Sequence, residues 1–311
     1  MTQKIILDCD PGHDDAVAIL LAGNYPNIEL LGITVAAGNQ TIEKTTRNTL
    51  NIVQYLNIDV PVFQGAPRGL IKEQEVCAEI HGESGLDGFD FPSLIRQKEN
   101  KHAVNYIIDT LLKSEDKITL VATGPLTNIA LALKMEPQIT KKIEKVVIMG
   151  GSMQMGNVSP AAELNILCDP EAAHIVLNSD LEVYMVTLDV TRKVLCYPSI
   201  VERMKDINNY ASKLFVDLMI VFNENQKKIF GHDGGPLHDP VTIAYLIDNS
   251  LIEFKKVNVE IDLSHQSSYG RTNCDVFNYL KKPSNCFVSQ TIDVEKFWNI
   301  VENGLKNYGD K

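Results

Sequence analysis

Short apolar runs alternate with amphipathic helical stretches through the first two thirds of the chain, and this alternation restricts the fold more than any other feature. Ile5–Leu7, Leu30–Ala36, Ile118–Ala122, Val146–Met149 and Val183–Val186 read as buried strands. Helical patterns fall between them near 14–23, 41–56, 102–113, 127–134 and 170–178. Strands alternating with helices in this way build a parallel sheet with helices on both faces. The expected fold is α/β: a mostly parallel, Rossmann-like central sheet flanked by helices, with the active site at the carboxyl ends of the strands. No repeat, low-complexity tract or Pro/Ser-rich linker interrupts residues 1–311, so one domain is expected. A helical, Asn-, Lys- and Phe-rich segment at about 199–234 is expected to cover the site.

Composition narrows the function classes. The formal charge of −11 argues against a nucleic-acid backbone or an anionic membrane as principal partner. No run of eighteen apolar residues is present and Met1-Thr2-Gln3-Lys4 leads straight into a strand, so neither a membrane span nor a signal segment is expected. Cys9, Cys77, Cys168, Cys196, Cys274 and Cys286 form no Cys-x-x-Cys pair and read as free thiols of a cytoplasmic protein.

The polar residues at the strand ends carry the chemistry. After Ile5–Leu7 comes Asp8-Cys9-Asp10-Pro11-Gly12-His13-Asp14-Asp15, and a helix-like run, Ala16–Leu20, follows. Acids favoured by a helix amino terminus account for Asp14 and Asp15 but not for Asp8 and Asp10. Carboxylates gathered this closely need a cation or protons between them, and hard oxygen donors suit Ca²⁺ or Mg²⁺. Four further segments stand out: Ala37-Gly38-Asn39-Gln40-Thr41, the loop His81–Gly88, Gly156–Ile166 with Asn157, Glu163 and Asn165, and Gly234–Pro240 with His238 and Asp239. Amides and carboxylates with several donors and acceptors suit a sugar's hydroxyls. Each segment alone also has an ordinary explanation as a turn, an N-cap or a polar loop. Asp239 is a natural distant ligand for a cation held by Asp10 and Asp15, with His238 beside it as a proton donor.

Taken in order, Asp8–Asp15, Val35–Asn39, His81–Leu86, Thr123–Asn128, Met149–Gly151, Ala162–Ile166 and Leu237–Pro240 resemble the motif series of the inosine-uridine preferring nucleoside hydrolases, most of all the bacterial pyrimidine-specific ribonucleoside hydrolases. The resemblance spans essentially the whole chain, and its Asp-x-Asp-Pro-Gly-x-Asp-Asp element is highly specific. It implies one Ca²⁺ per subunit, held by Asp10, Asp15 and Asp239 and the Thr123 carbonyl. Asp14, Asn39, Asn157, Glu163 and Asn165 would grip the ribose. Asp10 would be the general base for the attacking water, Asp8 a support behind it, and His81 or His238 the group that assists the leaving base. It further implies a nucleoside substrate and a homotetramer.

Base choice rests on Phe222, Gln226 and Phe230, spaced i, i+4, i+8 along one helix face. By resemblance this face lines the base pocket: Gln226 suits a pyrimidine edge, and the phenylalanines replace expected hydroxyl-bearing residues. A core-facing stripe is the competing reading for Phe222 and Phe230, while His232 and Asp233 stand close enough in sequence to approach the base. The alternatives are a hydrolase without base preference, a non-catalytic calcium-dependent nucleoside-binding protein, a structural calcium module, and the Asp-x-Asp phosphatase pattern. Gly12 and the lack of a suitably placed lysine loop disfavour the last.

Overall fold

In the computed structural model, which describes residues 2–74 and 76–309, the expected alternation of strand and helix is present. β1 (Gln3–Cys9) leads into α1 (His13–Asn24), and β2 (Ile28–Val35) into α2 (Ile42–Tyr55). β3 (Val62–Gln64) precedes α3 (Ala78–His81) and α4 (Ala103–Lys113). β4 (Ile118–Ala122) is followed by α5 (Thr127–Met135), and β5 (Ile143–Met149) by α6 (Leu164–Cys168) and α7 (Pro170–Leu177). After β6 (Val183–Val186) come α8 (Leu188–Thr191) and a small ribbon of β7 (Leu195–Cys196) and β8 (Gly235–Pro236), between which lie α9 (Pro198–Lys205) and α10 (Tyr210–Phe230). α11 (Pro240–Ile247), β9 (Ile252–Ile261), β10 (Thr272–Asp275), β11 (Cys286–Ile292) and α12 (Val294–Lys306) complete the chain.

The main sheet has the order β10-β9-β11-β6-β5-β4-β1-β2-β3. All pairings from β11 to β3 are parallel, whereas β9 runs antiparallel to both β11 and β10. The alternation of side chains along β1 shows how the sheet is buried. Ile5, Leu7 and Cys9 join one apolar layer with residues of α1, α2, α10, α11 and α12, while Ile6 joins the opposite layer with residues of α4, α5 and α7. A strand buried on both faces is therefore apolar at successive positions, and this is why Ile5–Leu7 reads as a continuous run.

This topology places the site. From β1 the chain winds outward through β2 and β3, then returns to β4 on the other side of β1. The crevice beyond the carboxyl ends of β1 and β4 is the switch point, where open α/β sheets bind their ligands. Asp10 follows β1 and Thr123 follows β4. The 199–234 segment consists of two helices broken at 206–209. α10 restarts through a reciprocal cap: Asn209 Oδ1 accepts from the Ser212 amide at 2.8 Å, and Ser212 Oγ accepts from the Asn209 amide at 3.0 Å. It ends at Gly231 in the left-handed region, with φ 75°.

Candidate active site

Four aspartates meet at the switch point, and among the described residues no lysine or arginine side chain stands against them. Asp10, Asp14, Asp15 and Asp239 are all buried, and among the described residues none forms an ion pair with lysine or arginine. Oxygens of Asp14, Asp15 and Asp239 lie within 4.8 Å of one another. Asp10 Oδ2 accepts from the Asn39 amide at 2.7 Å, while its Oδ1 is buried without a hydrogen-bond partner among the described residues. Gly38 makes this approach possible, since a Cβ there would stand 1.9 Å from Asp10 Oδ2. Asp15 accepts from Thr123 Oγ1 at 2.7 Å, from the Gly12 amide at 3.0 Å and from Asn39 Nδ2 at 3.3 Å. Asp239 opens α11 but makes no side-chain cap bond. The capping explanation for it therefore fails, and its carboxylate belongs to the cluster.

The electrostatics follow from this crowding. Burial, then the Asp15 carboxylate, raises Asp10 well above the usual range, and burial, then Asp14, lifts Asp15 to about 7. Asp239 rises for the same reasons. Burial also opposes ionisation of Asp14, but His81, His238 and the His238 amide at 3.2 Å outweigh it and hold this acid low. The donor set suits a hard divalent cation: all-oxygen ligands, excess negative charge and an orphaned buried carboxylate oxygen. This buried cluster is one that could hold a metal.

Above the acids opens a cavity of about 490 Å³ lined by most of the residues expected from sequence: Asp14, Asn39, His81, Thr123, Asn157, Glu163, Asn165, Phe222, Gln226, Phe230, His238 and Asp239. Asp10 and Asp15, both fully buried, lie behind its wall. Glu163 is fixed as the cap of α6, accepting from the amides of Asn165 at 2.9 Å, Gly151 at 3.0 Å and Ile166 at 3.1 Å; burial lifts it to about 7. Asn165 spends Nδ2 on the carbonyls of Thr123 at 2.8 Å and Met149 at 3.1 Å, so its oxygen is the end left for a ligand. Asn157 Oδ1 accepts from the Leu164 amide at 3.0 Å, which leaves its amide nitrogen. Asp8 stays out of the cavity, its Oδ1 accepting from Thr34 Oγ1 at 2.6 Å and Asn128 Nδ2 at 2.9 Å.

The helix face on α10 divides by depth. Gln226 is buried against the cavity and Phe230 is half-exposed at the rim. Phe222 is fully buried and stacks on His13 and His81, with centroids 5.5 and 6.0 Å apart, so it backs the histidines as well as lining the cavity. His232 reaches the rim, whereas Asp233 turns to Lys227 at 3.0 Å. Three residues carried no warning in the sequence. Thr191 Oγ1 lies 2.7 Å from His238 Nδ1, and His13 packs against His81. Arg192 holds the loop bearing Asn157 through the carbonyls of Met155 at 2.8 Å and Gly156 at 2.6 Å.

A carboxylate nest at the switch point of a parallel sheet, roofed by amides and histidines, defines an α/β enzyme for a small, hydroxyl-rich molecule. The comparisons sharpen that class. The family model described as "inosine-uridine preferring nucleoside hydrolase" matches residues 5–299, and the chain belongs to this family. It is 48% identical over 306 residues, 98% of each chain, to the pyrimidine-specific ribonucleoside hydrolase RihB of Escherichia coli. Among solved structures it matches the purine-preferring ribonucleoside hydrolase from Gardnerella vaginalis at TM-score 0.90 and 35% identity, covering 98% of this chain and 99% of that one. A plant nucleoside hydrolase, PpNRh1, matches at TM-score 0.92 and 29% identity with the same coverage. The protein is thus a nucleoside hydrolase, an enzyme that cleaves N-glycosidic bonds.

Proposed function

We propose that this hydrolase acts on pyrimidine ribonucleosides, uridine and cytidine, releasing base and ribose by direct attack of water. The observation that carries the proposal is one cavity lined by Asp14, Asn39, His81, Thr123, Glu163, Asn165, His238 and Asp239, with Asp10 and Asp15 buried directly behind its wall and bonded to Asn39 and Thr123. Asp10, Asp15, Asp239 and the Thr123 carbonyl would hold one Ca²⁺ per subunit. Bound there, the ion supplies a hard positive centre that orients vicinal hydroxyls and makes nearby water more acidic. Asp10, through the Oδ1 that no described residue engages, takes the proton from the attacking water. Asp14, Asn39, Asn157, Glu163 and Asn165 grip the ribose, and fixing it in place removes most of the entropic barrier. Positive charge develops on the ribose as the bond breaks, as in glycoside hydrolysis. His81 and His238, on the roof, assist the departing base. No covalent intermediate is required, and Cys9, whose thiol burial and the neighbouring carboxylates push up, is no nucleophile.

Support for pyrimidine preference comes from the 48% identity to a pyrimidine-specific relative and from Gln226 at the cavity wall. The purine-preferring relative at 35% identity keeps the alternative of broader base choice in view. A panel of uridine, cytidine, inosine, adenosine and their 2′-deoxy forms, read as reducing-sugar release, decides it. Uridine and cytidine should be cleaved fastest and every deoxy substrate poorly. Binding without sugar release would mark a nucleoside-binding protein instead. We also propose one domain across 1–311, a cytoplasmic location and a homotetramer, the last testable by light scattering; no helix of the described residues is long and apolar enough to cross a membrane.

A further inference from the structure

His13 is fully buried at the first position of α1, between Asp10 and Asp14, yet neither the cation nor the ribose gives it a task. Its ring Nε2 lies 2.8 Å from the carbonyl oxygen of Asp87. A carbonyl has no hydrogen to give, so Nε2 carries the hydrogen and donates it. The backbone N–H of His13 in turn donates to Nδ1 of His81 at 3.2 Å. A ring nitrogen that accepts carries no hydrogen, so neutral His81 is held in the tautomer with its hydrogen on Nε2. The two Nδ1 atoms, 3.3 Å apart, are then both bare, and their contact is stacking, with centroids 5.5 Å apart and planes at 22°. Phe222 closes the stack from the other side. Gly12 lets the His81 ring lie on the loop, because a Cβ there would stand 2.6 Å from two of its atoms. Among the described residues, Nε2 of His81 has no partner, and the ring lines the cavity.

We infer that His13 is a positioning residue for the reaction. Its backbone N–H fixes His81 as an Nε2–H donor, while its ring, anchored on the Asp87 carbonyl, stacks on His81 and holds the imidazole in place, so that this N–H donates a hydrogen bond to an acceptor on the departing base. Thr191 holds His238 differently: a hydroxyl at 2.7 Å both donates and accepts, so it imposes no tautomer. The fixed donor is therefore His81. The inference rests on the nucleoside hydrolase reading of the site and on His81 facing the base.

The test is a double-mutant cycle of His13→Ala and His81→Ala on uridine, a poor leaving group, and on an activated p-nitrophenyl riboside. Each single variant should lower kcat on uridine by about tenfold or more, the effect of losing one useful hydrogen bond. KM and turnover of the activated substrate should stay near the wild-type values. The double variant should be no slower than His81→Ala alone. His13→Gln, whose amide can still reach the Asp87 carbonyl, should recover part of the loss. Multiplying losses in the double variant, or equal losses on both substrates from His13→Ala, would overturn the inference. If His81→Ala spares uridine, the leaving-group reading of His81 fails by itself. Imidazole ¹⁵N spectra of the wild-type enzyme decide the tautomer without any variant: Nε2–H on His81 is expected, and Nδ1–H would refute the lock.

Discussion

At the residue scale, Asp10 offers one carboxylate oxygen held by the Asn39 amide and one with no hydrogen-bond partner among the described residues. Asp10→Ala removes the proposed base and a proposed calcium ligand together, so it should keep the fold and abolish turnover, a loss beyond the about 10²–10⁴-fold that a positioned base contributes alone. Near-normal turnover in this variant would remove Asp10 as the base. Thr191 is fully buried and its hydroxyl meets His238 at 2.7 Å. Thr191→Val keeps the shape and deletes one hydrogen bond, so kcat on uridine should fall by about tenfold. An unchanged rate, with circular dichroism unaltered, would show that His238 needs no support there. The acids, amides and histidines at the strand ends were legible because such side chains have no place in an apolar core unless something uses them. Thr191 and His13 were not legible, since each acts on a histidine brought to it from 47 or 68 positions away.

At the element scale, β1, β2, β4, β5 and β6 could be read from the chain because each carries a continuous apolar run and is followed by a helix, whereas the short β3 and the partly exposed β11 could not. Nor could the antiparallel edge. β10 is Thr272-Asn273-Cys274-Asp275, in which Asn and Asp are poor strand formers, and its pairing with β9 comes from tertiary context. Asp169 shows what joins the helices beneath the site. It caps α7 through the Ala172 amide at 3.0 Å and also accepts from Thr127 Oγ1 on α5 at 2.6 Å and the Leu70 amide at 3.0 Å. Burial raises this acid and its three donors pull it back. Asp169→Ala should leave buried donors unsatisfied and cost about 3 kcal/mol of stability, seen as a lower urea midpoint. Turnover of the folded fraction should hold, since Asp169 does not line the cavity. An unchanged midpoint would mean that the three contacts contribute nothing in solution.

At the scale of the whole molecule, the acid cluster links stability to pH and, on the function proposed above, to a bound divalent cation. Burial and neighbouring carboxylates lift folded Asp15 to about 7 from the ordinary 3.8 of an aspartate, and Asp10 and Asp239 shift the same way. Between about pH 4 and 7 the metal-free folded chain therefore holds protons that the unfolded chain has released. Stability then falls as pH rises through that window, because the unfolded state binds fewer protons than the native one. A bound cation takes over the compensation that those protons provide. With chelator present, the melting temperature should be higher at pH 5 than at pH 7.5. On the proposed calcium site, the ion at about a hundredfold excess over its Kd should stabilise by about 2.7 kcal/mol, a shift of roughly 4 °C for a chain of this size. That shift should be largest at pH 7.5 and smaller at pH 5, where protons compete for the same oxygens. Asp239→Ala removes one ligand and should abolish the calcium shift together with turnover, while metal analysis shows the ion lost. A calcium shift of equal size at both pH values, surviving in Asp239→Ala, would place the ion somewhere other than among these carboxylates.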